Sequence, residues 1–144
     1  MNVIQYEMPA DGKALAIASE PEVLYLTKEK SGLFTIENFQ ALSQKLLFTQ
    51  LEWADILHIS DRTLQRYVKE NKAFEGLFAE HLYQLDNMSD LGLTVFSNAK
   101  NLEEWLRKPK NVLGKVLDFS TLQSFWGVKL ISNELGRIEY GVYI

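Results

Sequence analysis

Thr49-Gln50-Leu51-Glu52-Trp53-Ala54-Asp55-Ile56-Leu57-His58-Ile59-Ser60-Asp61-Arg62-Thr63-Leu64-Gln65-Arg66-Tyr67-Val68-Lys69 reads as two short helices joined by a tight turn. Thr49 with Glu52 three residues on is a capping box, in which each side chain satisfies a backbone N–H that the first helical turn would leave unpaired. Ser60 is a second N-cap, opening a helix from Asp61 to about Lys69. Between them His58 and Ile59 form the turn. Glycine is usual where such a turn needs positive φ, and histidine adopts that conformation at some cost, so His58 reads as a turn residue rather than a ligand. Ala54 is small enough to let two helices cross closely. The arrangement is a helix-turn-helix.

In the second of these helices Leu64, Tyr67 and Val68 share one face and are expected to pack inward. Arg62, Gln65, Arg66 and Lys69 share the other. An arginine can read guanine or clasp phosphate, a glutamine can pair with adenine, and a lysine neutralises phosphate. Thr63, near the helix start, can reach a base edge or phosphate. Arg62, Thr63, Gln65, Arg66 and Lys69 are therefore candidate DNA contacts. The spacing alone leaves open an ordinary helical hairpin with a solvated basic face.

The rest of the chain is ordinary globular sequence. The 144 residues are 47% hydrophobic and 24% charged, enough to bury a core and unlike a disordered chain. The net charge of −4 disfavours nucleic acid, but it is unevenly spread: −2 over residues 1–30, +2 over 60–72, −3 over 73–88 and +1 over 89–144. A basic segment in an acidic chain implies modest, salt-dependent DNA binding. There is no cysteine, which removes disulfides, thiolate metal sites and cysteine nucleophiles. His58 and His81 are the only histidines, and His81 is expected on a helix surface or as a satisfied core residue. Glu103 and Glu104 are adjacent, hence about 100° apart on a helix, which suits a solvated surface better than acid–base chemistry. No phosphate loop or nucleophile elbow is present. No catalytic residue, metal or cofactor is expected. Without a membrane span or secretory signal, a soluble cytoplasmic protein is the default.

Elsewhere the punctuation predicts helices and almost no strand. Residues 1–18 read as an arm. A helix opens at Ser19-Glu20-Pro21-Glu22 and runs to about Lys30, ended by Gly32. Another begins after Thr35 and carries Phe39, Leu42 and Leu46. Phe74 to Met88 is expected as a long helix with Leu77, Phe78, Leu82 and Leu85 inward, bent or interrupted at 87–90 before Leu91–Phe96. Asn98 or Asn101 caps a helix carrying Leu102, Trp105 and Leu106 that stops before Pro109. Gly114 marks a loop, and a last helix spans Leu122 to about Leu135, ended by Gly136. Beyond Gly136 lies an aromatic tail, whose rings are expected to dock on the domain itself or on a partner.

The C-terminal third also resembles a known family. Trp105-Leu106 with Pro109, Asn111 with Leu113-Gly114, Gly127, and above all the ending Leu135-Gly136-Arg137-Ile138-Glu139-Tyr140-Gly141-Val142-Tyr143 resemble the toxin-binding domain of Xre/MbcA/ParS-type antitoxins. Leu57 to Arg66 resembles the helix-turn-helix of the same family. The pattern departs from the family in three places. A proline is missing from Lys115–Phe119, Trp126 stands where an acidic or small residue is usual, and Tyr67 follows Arg66 where a basic residue is common.

The resemblance implies the antitoxin of a type II toxin–antitoxin module, partnered by a RES-domain toxin that degrades NAD⁺. Beyond the arm at 1–18, which lies outside the resemblance, it implies an all-α fold with a helix-turn-helix DNA-binding and dimerisation domain (19–88) and a small helical toxin-binding domain (89–144). Arg137, Ile138, Glu139, Tyr140, Gly141, Val142 and Tyr143 would face the toxin, and Asn111 and Gly114 would shape a supporting loop. The helix-turn-helix face would bind operator DNA to repress the operon, as a homodimer and within a larger toxin–antitoxin complex. The competing expectation is a stand-alone helix-turn-helix regulator with no toxin partner, its C-terminus docked on itself.

Overall fold

Five of the six α-helices among the described residues start where a short polar side chain catches a free N–H group, the helix Gly76–Phe96 being the exception. A computed structural model describes residues 32–141. The expected arm, the helix at 20–30, and Val142 and Tyr143 lie outside the described residues. In order, β1 (Leu33–Phe34) leads into α1 (Ile36–Lys45), α2 (Gln50–Leu57), α3 (Asp61–Glu70), β2 (Phe74–Glu75), α4 (Gly76–Phe96) and α5 (Ala99–Arg107). Then come β3 (Lys110–Val112), β4 (Lys115–Leu117), a 3₁₀ helix (Phe119–Gln123) and α6 (Phe125–Tyr140). Thr35, Thr49, Ser60, Asn98 and Ser124 each accept a backbone N–H from the first turn of the helix they precede. At Thr49 the capping box is complete, with Glu52 reaching back to the Thr49 N–H.

The fold is predominantly helical, as expected, with two small antiparallel ladders that the local residue pattern did not suggest. One pairs β1 with β2, Phe34 opposite Phe74. Its tie to α4 is the Tyr83 hydroxyl, which donates to the Leu33 carbonyl at 2.6 Å. The other is a hairpin, β3–β4, where a loop was expected. Leu113 and Gly114 form its two-residue turn, both at positive φ. That conformation is free for glycine but costs leucine on the order of 1 kcal/mol.

α4 is the element around which the described residues pack. It packs against α1, α5, α6 and the β1–β2 ladder. It is one unbroken helix of 21 residues, so neither the start at Phe74 nor the interruption at 87–90 is found. Phe74 and Glu75 are strand instead, because their backbone pairs with β1. Leu82, Leu85 and Met88 are buried along α4, whereas Leu77 and Phe78, expected inward, are exposed at its first turn. The boundary expected at 88/89 falls inside this helix, and the described residues on either side of it form one compact unit. Gly92 makes the α4–α5 crossing possible, since a Cβ there would lie 2.5 Å from Leu102 Cδ1.

The last helix also starts and ends later than expected. Leu122 belongs to the 3₁₀ helix, Gly136 sits inside α6, and Gly141 in the left-handed conformation ends it. Gly136 keeps a helical backbone, at a propensity cost of about 1 kcal/mol, and α6 continues through the half-buried Arg137 and Ile138 to the left-handed Gly141.

Candidate recognition surfaces

The turn between α2 and α3 has the expected form. His58 adopts φ 59°, and its N–H and that of Ile59 return to the carbonyls of Asp55 and Ala54. α3 then rests on Leu64, fully buried, and on Tyr67, whose ring stacks on Phe74 at 5.1 Å. Tyr67 and Val68 are half-buried rather than sealed. Trp53 anchors α2 in a cluster with Phe39 and Phe48, at centroid distances of 5.1 and 5.0 Å.

The opposite side of α3 is open. Arg62, Gln65, Arg66 and Lys69 are exposed, as the helical spacing requires. Arg62, Arg66 and Lys69 follow an i, i+4, i+7 stripe, and among the described residues none of the three makes an ion pair. Lys72 adds a fourth cation just past the helix, its Nζ 4.7 Å from the Tyr67 ring centroid. Two of the candidate residues are already engaged. Gln65 Nε2 donates to Asp61 Oδ2 at 2.9 Å, while Gln50 Nε2 takes Asp61 Oδ1 at 3.1 Å. Thr63 is half-buried, and its Oγ1 accepts the Ser60 hydroxyl at 2.9 Å, which makes it part of the helix cap. Asp61 thus ties the starts of α2 and α3 together and holds Gln65 still.

At the other end of the chain the residues expected as a tail are the final turn of a helix. Arg137, Ile138, Glu139 and Tyr140 close α6, and the Gly141 N–H bonds the carbonyls of Arg137 and Ile138. Tyr140 is 78% exposed. Glu139 and Gly141 are exposed as well, and Ile138 is half-buried. Arg137 is half-buried and pairs with Glu134, Nη2 to Oε1 at 3.2 Å. Glu134 is itself buried and also acts electrostatically on Lys110 at the foot of the hairpin. Burial pulls the Lys110 ammonium below its usual range, with Glu134 and Asp118 opposing that shift. Lys110 lies over the Trp105 ring at 4.2 Å.

The segment between these two surfaces is held by a contact that local sequence does not anticipate. Arg107, the last residue of α5, grips Glu52 of α2 with both ends of its guanidinium, Nη1 to Oε2 at 2.6 Å and Nη2 to Oε1 at 2.8 Å. Its Nε donates to Glu103 at 3.0 Å, and its plane covers the Phe119 ring at 4.6 Å. Glu103 is therefore half-buried and paired, while Glu104 is exposed with Lys100 beside it at 3.6 Å. The Arg107 guanidinium holds the Glu52 carboxyl down at about 2, against a desolvation effect that works upward. Arginine at the end of one helix and the N3 glutamate of a distant capping box carry no local signal of their pairing.

Both histidines meet the same 3₁₀ helix. His58 Nε2 lies 2.7 Å from the Gln123 carbonyl oxygen, and His81 Nε2 lies 2.9 Å from that of Leu122. His81 is buried with its edge on Phe125, so it is the satisfied core residue of the two expected alternatives. Burial lowers its pKa, the Leu122 hydrogen bond opposes that shift, and the neighbouring His58 adds to it.

No protein-family model matches the chain, and no curated protein matches it either. Among the described residues no group of three or more His, Asp and Glu is placed to hold a metal ion, and no helix is long and apolar enough to cross a membrane.

Proposed function

We propose that this chain is the antitoxin of a type II toxin–antitoxin module, acting by binding rather than catalysis in the cytoplasm. The end of α6 occupies the active-site cleft of a RES-type toxin that degrades NAD⁺. The α3 face binds operator DNA as a homodimer and represses the operon, and toxin and antitoxin join in a larger complex. The observation that carries this reading is Tyr140. A large aromatic side chain on the last turn of a helix, 78% exposed, is the kind of anchor that interfaces bury at their centre. Neutralisation needs no chemistry of its own, because a protein seated in the cleft excludes the nucleotide sterically, and interfaces of about 1,600 Å² are the ordinary size for stable complexes. The exposed stripe of Arg62, Arg66 and Lys69, which makes no ion pair among the described residues, supports the second activity.

The two activities separate by mutation. Tyr140→Ala is expected to weaken toxin neutralisation at least tenfold while leaving operator binding within twofold, measured by residual NAD⁺ hydrolysis and by gel shift. Arg66→Ala is expected to do the reverse, and to lower the salt dependence of DNA binding by about one counterion. A Tyr140→Ala protein that still neutralises fully removes α6 from the toxin site. A wild-type chain that binds operator DNA but no RES-domain protein is a stand-alone regulator instead.

A further inference from the structure

An acid stands at the head of α3, where the stripe of Arg62, Arg66 and Lys69 begins. Facing phosphates, a negative charge costs affinity. The hydrogen bonds of Asp61 show what it does instead. Its Oδ1 accepts Gln50 Nε2 from the first residue of α2 at 3.1 Å, and its Oδ2 accepts Gln65 Nε2 from one turn further along α3 at 2.9 Å. Asp61 is half-buried, whereas Gln50 and Gln65 are exposed.

The consequence lies in the amides. A glutamine amide has a donor side and an acceptor side, and left free it turns either one toward a ligand. A carboxylate only accepts, so beside Asp61 the amide nitrogen must face inward. Gln65 is thereby left with its Oε1 and its second N–H to offer a ligand. In the major groove adenine and cytosine each present an exocyclic amine, which that oxygen can accept from. Guanine O6 and N7 and thymine O4 are acceptors and would meet the oxygen with repulsion. Turned the other way, the same glutamine would donate to guanine or thymine. The first turns of a recognition helix are where base edges are reached, and Asp61 and Gln65 are the first and fifth residues of α3.

We infer that Asp61 determines the sequence specificity of the α3 face: by holding the Gln65 amide nitrogen-inward, it makes the start of α3 select a base with an exocyclic amine, adenine or cytosine, over guanine or thymine. This rests on the operator-binding reading of α3. Asp61 acts through Gln65, so it is a positioning residue, and Gln50 braces it from α2.

The test uses the full-length chain and a pool of randomised DNA duplexes, with bound sites sequenced and individual sites titrated. Gln65→Ala identifies the base pair concerned, as the position where the sequence preference relaxes. There the parent is expected to favour adenine or cytosine over guanine roughly 10- to 100-fold. Exchanging the selected base for its analogue without the amine, purine for adenine or 2-pyrimidinone for cytosine, should remove that advantage. Asp61→Asn can donate as well as accept and so releases the Gln65 amide, and discrimination at that position should fall to about threefold or less. Asp61→Ser, which still suits a helix start, should do the same. Both variants should bind random-sequence duplex more tightly than the parent, because a negative charge has left the face. An acid that merely supported the helix would on removal lower the melting temperature and weaken binding to every sequence alike, and that result overturns the inference. Guanine or thymine at the selected position, discrimination that survives both Asp61 variants, or a Gln65→Ala protein that relaxes no position also overturns it and leaves operator binding by α3 standing. A parent chain that enriches no sequence overturns the operator-binding reading as well.

Discussion

The α2–α3 region and the C-terminal region from Pro109 to Gly141 are built on different kinds of information. In the first, the decisive contacts span three or four residues. Thr49 and Glu52 close a capping box, Ser60 takes the Thr63 N–H, and His58 turns the chain within one residue. In the second, the decisive contacts are distant or depend on a missing side chain. A Cβ on Gly127 would lie 1.7 Å from the Thr121 carbonyl oxygen, so the 3₁₀ helix can lie on the start of α6 only because that side chain is absent. The hairpin stands where its strands pair with each other, and α6 runs past one glycine and ends at another. One region tolerates change in its surroundings; the other tolerates little change in itself.

Gly127→Ala should therefore be the most damaging small change in the molecule. The obstacle is backbone, which cannot rotate away, so α6 must shift from the 3₁₀ helix and lose part of its packing. A loss of about 3 kcal/mol or more is expected in denaturant unfolding followed by tryptophan fluorescence. The comparison breaks if Gly127→Ala costs no more than Thr49→Ala, for which a lost cap predicts about 1 kcal/mol.

Arg107→Ala tests the joint between the two regions. It removes a two-pronged grip on Glu52 and the cover over Phe119, and is expected to cost about 2 kcal/mol, tempered because both side chains are partly open to solvent. Glu52 titrates near 2 in the folded chain, below its ordinary 4.5. Its contribution is thus complete above about pH 4.5 and is lost as pH falls from there toward 2. Arg107→Ala should flatten that part of the acid-unfolding curve. An unaltered curve would mean that other carboxylates govern acid stability.

Legibility in the sequence divides along the same line. The caps at Thr49 and Ser60, a helix start just after Thr35, a cap at Asn98 or Asn101, the His58 turn and the outward set Arg62, Gln65, Arg66 and Lys69 could be read because caps and helical faces are properties of a few neighbouring residues. The hairpin was hidden by a single residue. Lys110-Asn111-Val112 and Lys115-Val116-Leu117 alternate around a two-residue turn, but Leu113 stands where asparagine would have announced it. Phe74-Glu75 looked helical because only the distant β1 makes it a strand. For α6 the error came from treating Gly136 as a stop, when the glycine that takes the left-handed conformation and ends the helix is Gly141. The Arg107–Glu52 grip joins positions 55 apart, and no spacing rule reaches that far.

A smaller effect is expected from His81. Its neutral form is favoured in the folded chain by burial, so its folded pKa lies below the unfolded one. The unfolded chain then binds more protons, and stability is complete above about pH 6.5 and declines as pH falls below it. His81→Gln can still donate to the Leu122 carbonyl and does not titrate. It should show a flatter denaturation midpoint between pH 7.5 and 5.5 than the parent. Equal slopes in the two proteins would assign the sensitivity elsewhere.

His58 belongs to both regions, which is why the smallest net effect is expected there. Locally it holds a costly left-handed backbone; remotely its ring bonds the Gln123 carbonyl at 2.7 Å. His58→Gly removes the strain, worth on the order of 1 kcal/mol, and loses a hydrogen bond of about the same net value, so the unfolding midpoint should move by less than about 0.5 kcal/mol. His58→Ala loses the same bond but keeps the unfavourable φ, and should cost about 1 kcal/mol. Since both variants lack the ring, the difference between them reads the backbone contribution alone, and whatever His58→Gly retains or loses against the parent reads the reach to Gln123. If glycine and alanine destabilise equally, the turn is not strained, and the tie to the 3₁₀ helix accounts for everything that His58 contributes.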